Sequence, residues 1–332
     1  MRIALDAMGS DHAPSIEVEG AIDALCLLDH EVSLVLVGEQ SRIEAELRRY
    51  PAAARDRIEI VHAPQRIDMG EPAAQAIRRK PDSSIVVGLN LQKRGEVDAF
   101  ISAGSTGAVM AGSVFILRVL SGVDRPAIGT VLPTRAGHTL LVDAGANVDT
   151  RPQNLLQFAH LGAIYAQDLM GIEHPRVGLL NIGEEPEKGD ELAVESFHLL
   201  ANSPSLNFVG NIEGRDVIEQ KCDVLVCDGF VGNVLLKFYE SIAAFIMSRV
   251  REAAAAAKVE LDLTSAFAGL DYTEYGGAPL LGVNGVTIVC HGGSPPIAIR
   301  NAIRVAVQAV NNGMVEHIQS RLERLARKQQ NS

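Results

Sequence analysis

Ala99-Phe-Ile-Ser-Ala-Gly-Ser-Thr-Gly-Ala-Val-Met-Ala-Gly112 sets a short apolar run, a small polar turn and a second apolar run in direct succession. Ala99 to Ser102 reads as a buried strand, and Thr106 to Leu120 as a helix entered straight from the turn. Glycines at 104 and 107 let backbone come close to a ligand. Free N–H groups at a helix start attract an anion. The hydroxyls of Ser102, Ser105 and Thr106 add donors. The stretch reads as an oxyanion cradle between strand and helix. It is neither a G-x-G-x-x-G fingerprint followed by a helix nor a G-x-x-x-x-G-K-[ST] loop, which speaks against NAD, FAD and ATP.

The same alternation runs outward in both directions. Strands are expected at Ile3 to Leu5, Val32 to Val37, Ile58 to Val61, Ile128 to Leu132, Thr139 to Val142, Val177 to Leu180, Val224 to Cys227 and Val286 to Val289. Helices are expected at Ser15 to Leu28, Ser41 to Arg49, Pro72 to Arg79, Ser84 to Arg94, Pro152 to Leu169, Glu191 to Leu200 and most of Pro296 to Arg327. The rhythm predicts an α/β fold with a mainly parallel sheet between helical layers. Such sheets bind ligands where strand C-termini meet helix N-termini. Residues 1–130 with 295–332 are expected to form one lobe. Residues 131–294 are expected to form another, with a long helical hairpin near 231–271. In that stretch Val234, Leu235, Phe238, Ile242, Phe245, Ile246 and Val250 keep helical spacing. Such a helix either projects toward a second subunit or breaks near Lys258 to lie on the core.

Composition sets limits on the chemistry. The chain has 332 residues, 47% of them hydrophobic and only 4% aromatic, so its core is mainly aliphatic. Its net charge of −11 makes it a poor general binder of nucleic acid. An anionic substrate or partner needs a local basic patch, for which Arg78, Arg79 and Lys80, or Arg118 and Arg125, are candidates. Cys26, Cys222, Cys227 and Cys290 form no zinc or C-x-x-C pattern and read as reduced thiols of a cytoplasmic protein. The opening MRIALDAMG lacks the apolar core of a signal peptide. The longest apolar stretch, Ala108 to Leu117, is interrupted and too short to span a bilayer.

Further polar turns fall at expected strand ends: Asp6 to Asp11, Asp143 to Asn147, Asn181 to Glu184, Asp228 to Asn233 and His291 to Ser294. One such turn is ordinary; several point to a shared polar cleft. No G-x-S-x-G elbow or H-E-x-x-H run appears. Asp6, Asp11, Asp143 and Asp228 are explained singly by capping and turn roles, so no metal is expected. His291 is a candidate proton donor, and His12 reads more simply as a turn residue. Lys188 and Lys237 each follow a polar turn, where a solvated ammonium is the ordinary alternative to an anion partner.

In this order, these motifs resemble the bacterial phosphate acyltransferase family, the acyl-(acyl carrier protein):phosphate transacylases. The likeness runs through Asp6 to Pro14, Glu71-Pro72, Arg78 to Lys80, Ser83-Ser84, Ile101 to Ala108, Leu141 to Asn147, Leu179 to Glu185 with Lys188-Gly189, Cys227 to Lys237, and Tyr275 to Gly282. The family usually has Gly at the position of Ser10 and Asn at that of Ser105. The resemblance implies transfer of a long-chain acyl group from acyl carrier protein to inorganic phosphate, yielding acyl phosphate for phospholipid synthesis. It implies a two-lobed α/β/α homodimer, similar to phosphotransacetylase and isocitrate dehydrogenase-like folds, with the site in the interlobe cleft. It also implies no cofactor, a cytoplasmic location and peripheral membrane contact through the hairpin, to which Leu261, Leu263, Phe267 and Leu270 would contribute.

Phosphate is already an anionic nucleophile, so the site need only align it with a thioester and stabilise the tetrahedral oxyanion. Ser102, Gly104, Ser105, Thr106, Gly107 and Ser294 are expected around phosphate. Asn147, Asn181 and Asn233 are expected as donors, with Asp228 and Gly229 in the binding turn. Lys188 or Lys237 would offset charge, and His291 would protonate the leaving thiolate. The alternatives are a short-chain phosphotransacylase using coenzyme A, a metal- and NAD-dependent dehydrogenase of the same fold, and a non-catalytic acyl-carrier or lipid-surface scaffold.

Overall fold

The computed structural model describes residues 1–257 and 276–330. Its strands are β1 (Arg2–Asp6), β2 (Ser33–Gly38), β3 (Ile58–His62), β4 (Ala99–Ser102), β5 (Ala127–Thr134), β6 (Gly137–Val142), β7 (Arg176–Asn181), β8 (Asn207–Glu213), β9 (Val224–Val226), β10 (Ala278–Leu281) and β11 (Val286–Val289). The chain divides into two compact units. The first holds Met1–Ile128, Ile164–Glu173 and the described chain from Gly276 onward; the second holds Gly129–Ala163 and the chain from His174 through the helix ending at Ala257.

In the first unit the strands run β3-β2-β1-β4-β11-β10. All neighbours are parallel until β10, which is antiparallel to β11 and to the first residues of β5. Both faces of this sheet are covered. Ala4, Val35, Val37 and Phe100 point into one core with Ile85 and Leu89 of the helix Ser84–Lys93. The alternating Ile3, Leu5, Leu34, Leu36 and Ile101 are fully buried on the opposite face. Two-sided burial explains why these strands read as continuous aliphatic runs. In the second unit β5 and β6 form an antiparallel pair, and β6, β9, β7 and β8 continue in parallel.

Several expectations change. Residues 275–294 were expected in the second lobe, yet β10 and β11 lie in the first unit because β11 pairs with β4 from Val286↔Ala99 to Val289↔Ser102. The end of the helix Pro152–Asp168 also belongs there, where Asp168 pairs with Arg321 at 2.7 Å. The helix after the polar turn is regular only over Thr106–Gly112. It then opens into a π turn at Ser113–Leu117, after Gly112 packs on Leu89 and Ile77. The C-terminal helical stretch is two helices, Pro296–Asn311 and Met314–Gln330.

The long helix, Gly229–Ala257, is real, and only Gly229 and Gly232 along it are buried. Phe230, Val234, Phe238, Phe245 and Ile246 stand exposed. One 18-residue window has a mean hydropathy of 1.4, long and apolar enough to cross a membrane by length and composition. Ala108 to Leu117 is therefore not the chain's most extended apolar helix. The rest of the expected hairpin, including Lys258, Leu261, Leu263, Phe267 and Leu270, lies outside the described residues.

Candidate active site

In the first unit β1 delivers Asp6 to the C-terminal edge of the sheet, wholly buried. Asp6 Oδ2 accepts the Ser102 hydroxyl at 2.7 Å, and Oδ1 accepts the Met8 N–H at 3.0 Å. Ser102 Oγ accepts the Gly104 N–H at 3.0 Å. Burial pushes the Asp6 carboxyl upward, opposed by hydrogen bonds from Ser102, Ser84 and Met8 and by the Arg66 charge. The expected contact of Ser102 and Gly104 with phosphate is thus corrected. The hydroxyl donates inward to Asp6, the Gly104 N–H is taken, and both residues shape the turn.

The turn itself is clamped from two sides. The Asp11 N–H donates to Gly292 O at 2.9 Å, and the Cys290 N–H to Ser102 O at 2.8 Å. Gly9 lies so close to the neighbouring turn that a Cβ there would sit 2.6 Å from Gly104 N. The three turns 6–11, 102–107 and 291–294 therefore form one assembly at the ends of β1, β4 and β11. Ser105 Oγ accepts the Ala108 N–H at 3.4 Å as a helix cap, and the first backbone bond runs from Val109 N–H to Ser105 O. The N–H groups of Thr106 and Gly107 precede that bond and point out of the helix end, where a helix leaves its donors unfilled. Both residues are half-buried.

His291 is exposed, and its Nδ1 accepts the Gly293 N–H at 3.3 Å. That bond places the proton of a neutral ring on Nε2. Ser294 is nearly buried, and its N–H donates to His291 O at 2.9 Å.

The second unit repeats this plan at the ends of β6, β9 and β7. Asp143 is fully buried. Its Oδ1 accepts the N–H groups of Gly145 and Ala146, and its Oδ2 accepts the backbone and side-chain amides of Asn147 at 2.7 and 2.9 Å. The Asn147 amide is therefore held inward by Asp143, not aimed at a ligand as expected. Asp228 Oδ1 accepts the N–H groups of Phe230 and Val231, capping the long helix. A carboxylate on that helix start fills the donors an anion would use, so Asp228 is a turn residue, and Gly229 is pressed against Asn147 behind it. Gly232 is required by the same packing: a Cβ there would stand 1.9 Å from Asp143 O.

Asn181 also works inward. Its Nδ2 donates to Lys188 O at 2.9 Å and its Oδ1 accepts the Ile182 N–H at 2.8 Å, closing the loop between them. Asn233 differs from the other two amides: it is exposed, with its side chain against Gly145. Lys188 and Lys237 are exposed as well. Of the expected donors in this unit, Asn233, Lys188 and Lys237 present their side chains outward.

The cysteines at strand ends are buried and disarmed. Burial pushes the Cys227 thiol far up and the Cys290 thiol up to about 12. Thiols so protonated are poor nucleophiles. Glu17 was not singled out in the sequence. It is fully buried in the helix Ser15–Leu27, and its Oε1 accepts the Ser10 N–H at 2.7 Å. Burial raises its carboxyl to about 7. Its only sequence signal was a carboxylate one residue before an apolar helical stripe, which a first-turn acid explains equally well.

Solved structures with this arrangement include a phosphotransacetylase from Streptococcus pyogenes, 18% identical with a TM-score of 0.62 over 94% of both chains. The EutD phosphotransacetylase from Staphylococcus aureus is 15% identical with a TM-score of 0.59, again over 94% of both chains. These likenesses place the chain in an α/β fold shared with phosphotransacetylases. A family model described as "Fatty acid synthesis protein" matches residues 1–317. Phosphate acyltransferase of Heliobacterium modesticaldum is 50% identical, covering 97% of this chain and 99% of that protein. Phosphate acyltransferase of Geobacter sulfurreducens is 44% identical, covering 97% and 94%. The chain belongs to the phosphate acyltransferase family and is an acyltransferase.

Proposed function

We propose that this enzyme moves a long-chain fatty acyl group from the thioester of acyl carrier protein to inorganic phosphate. A phosphate oxygen attacks the carbonyl carbon, the C–S bond breaks, and acyl phosphate leaves with the freed carrier thiol. The observation that carries direct transfer is the state of Cys227 and Cys290, both buried at strand ends and held protonated. Buried, unactivated thiols at these turns support phosphate itself as the nucleophile. The N–H groups of Thr106 and Gly107 suit a phosphate oxyanion. The Asn233 amide suits a developing oxyanion on carbon. Lys188 and Lys237 supply positive charge, and His291 Nε2–H supplies a proton to the departing sulfur.

Acyl carrier protein is acidic, so docking calls for exposed basic groups. Lys80 is drawn into an ion pair with Glu71 at 2.5 Å, and Arg78 lies over the Phe115 ring. Exposed Arg78 and Arg79, or exposed Arg118 and Arg125, are therefore the docking groups to test by charge reversal. The exposed stripe of Gly229–Ala257 supports contact with a second copy and with a membrane surface of a cytoplasmic enzyme. Sedimentation and flotation with anionic liposomes test these separately.

The deciding experiment mixes enzyme, palmitoyl carrier protein and phosphate and seeks acyl phosphate by mass spectrometry. Phosphate-dependent loss of thioester with appearance of that product is expected. Turnover of acetyl-coenzyme A alone would overturn the carrier-protein reading. Asn233→Ala, which removes the side-chain amide, should lower turnover by about 10²-fold while the fold survives.

A further inference from the structure

At the ends of β6, β7 and β9 an apolar side chain stands exposed within two residues of a polar turn residue. Val148 follows Asn147 and is 69% exposed; Ile182 follows Asn181 and is 81% exposed. Phe230 and Val234 are 60% and 56% exposed and lie at helical spacing i, i+3, i+4 with Asn233 between them. Such spacing puts Phe230, Asn233, Val234 and Lys237 on one helix face.

These side chains are held out by fixed backbone. The Ile182 N–H is bound to Asn181 Oδ1, the loop is closed by Asn181 Nδ2 on Lys188 O, and Asn211 Nδ2 grips Glu185 O at 2.9 Å. Val148 follows the turn tied to Asp143, and Phe230 follows Gly229, whose Cβ position is 2.7 Å from Asn147 N. The strands that carry these turns are neighbours in the order β6-β9-β7, so apolar groups displayed from their rigid ends call for an occupant.

Resting on the function proposed above, we propose that Val148, Ile182, Phe230 and Val234 form the subsite for the donor's acyl chain. The pattern of polarity selects this occupant. Single apolar side chains alternate with the amide of Asn233 and the ammonium of Lys237, matching a ligand with a polar carbonyl head and an aliphatic tail. Farther along the helix, Phe238, Ile242, Phe245 and Ile246 extend the apolar surface away from these turns, a broader face suited to a macromolecule or membrane.

The test compares palmitoyl- and butyryl-carrier protein with inorganic phosphate for the full-length enzyme and its Ile182→Ala and Phe230→Ala variants. Sedimentation is run on the same samples. The ratio of kcat/KM for palmitoyl over butyryl donor should fall at least about tenfold in each variant, since a single lost methylene contact can carry such discrimination. An unchanged ratio in active variants overturns the subsite and leaves the proposed function standing. An equal loss on both donors with a change in sedimenting mass also overturns it, assigning the residues to contact between copies. If Phe230→Ala does not fold, Ile182→Ala, on a separate loop, decides alone. Absence of acyl phosphate from wild-type enzyme with either donor would remove the functional reading and the subsite together.

Discussion

Replacing Glu17 by Gln isolates one buried charge. The carboxyl is fully buried, with Oε1 on the Ser10 N–H and Oε2 without a hydrogen-bond partner among the described residues. Burial raises it from 4.5 to about 7, with the nearby Asp6 charge adding to the rise and Ser10 opposing it. A carboxyl that holds its proton more tightly when folded stabilises the protein below pH 4.5. That contribution fades as pH climbs and is gone above about 7. At about 1.4 kcal/mol per unit, the shift corresponds to about 3 kcal/mol. Glu17→Gln keeps an oxygen for Ser10 N–H and abolishes the ionisation. Its advantage over wild type should therefore be near zero at pH 4.5 and reach about 3 kcal/mol at pH 8.5, roughly 5 °C or more in Tm. Circular dichroism melts across that range, with urea titrations at both ends, measure it. A difference between the two proteins that stays constant from pH 4.5 to 8.5 would refute the reasoning, because only a titrating group makes it vary.

Gly232→Ala should destabilise by at least about 3 kcal/mol in urea unfolding, because its new methyl meets Asp143 O with no flexible side chain to yield; a loss under 1 kcal/mol would contradict the close packing. Iodoacetamide at pH 8 should label exposed Cys26 in the native enzyme and spare Cys222, Cys227 and Cys290. Peptide mapping reads that pattern, and an acyl adduct on Cys227 or Cys290 after acid quench would disprove direct attack by phosphate.

Much of this architecture was legible in the sequence because two-sided burial writes strands as aliphatic runs. β4 and β11 fall on the expected residues for that reason. β8 was missed because its pattern is broken: Val209 is an extra residue in the register with β7, and Gly210 has a φ of 96°. β10 was hidden by Pro279, which demotes a strand on sight. The polar turns were located correctly, but the direction of each side chain was not readable. Asn147, Asn181 and Asn233 look alike in sequence, yet the first two brace their own loops and the third faces outward. That difference depends on where Asp143 and Lys188 O lie, which spacing along the chain does not encode.

The pairing of β4 with β11 carries a consequence for biosynthesis. These neighbours in the middle of a sheet are separated by more than half the polypeptide, including all the strands of the second unit. While a ribosome is still translating that insert, β4 is an open edge with unmatched amides, and the apolar surface later covered by Pro296–Asn311 is bare. Emerging chains would therefore depend on chaperone shielding until their last segment is released, and C-terminal truncation should yield aggregates in place of a smaller folded protein.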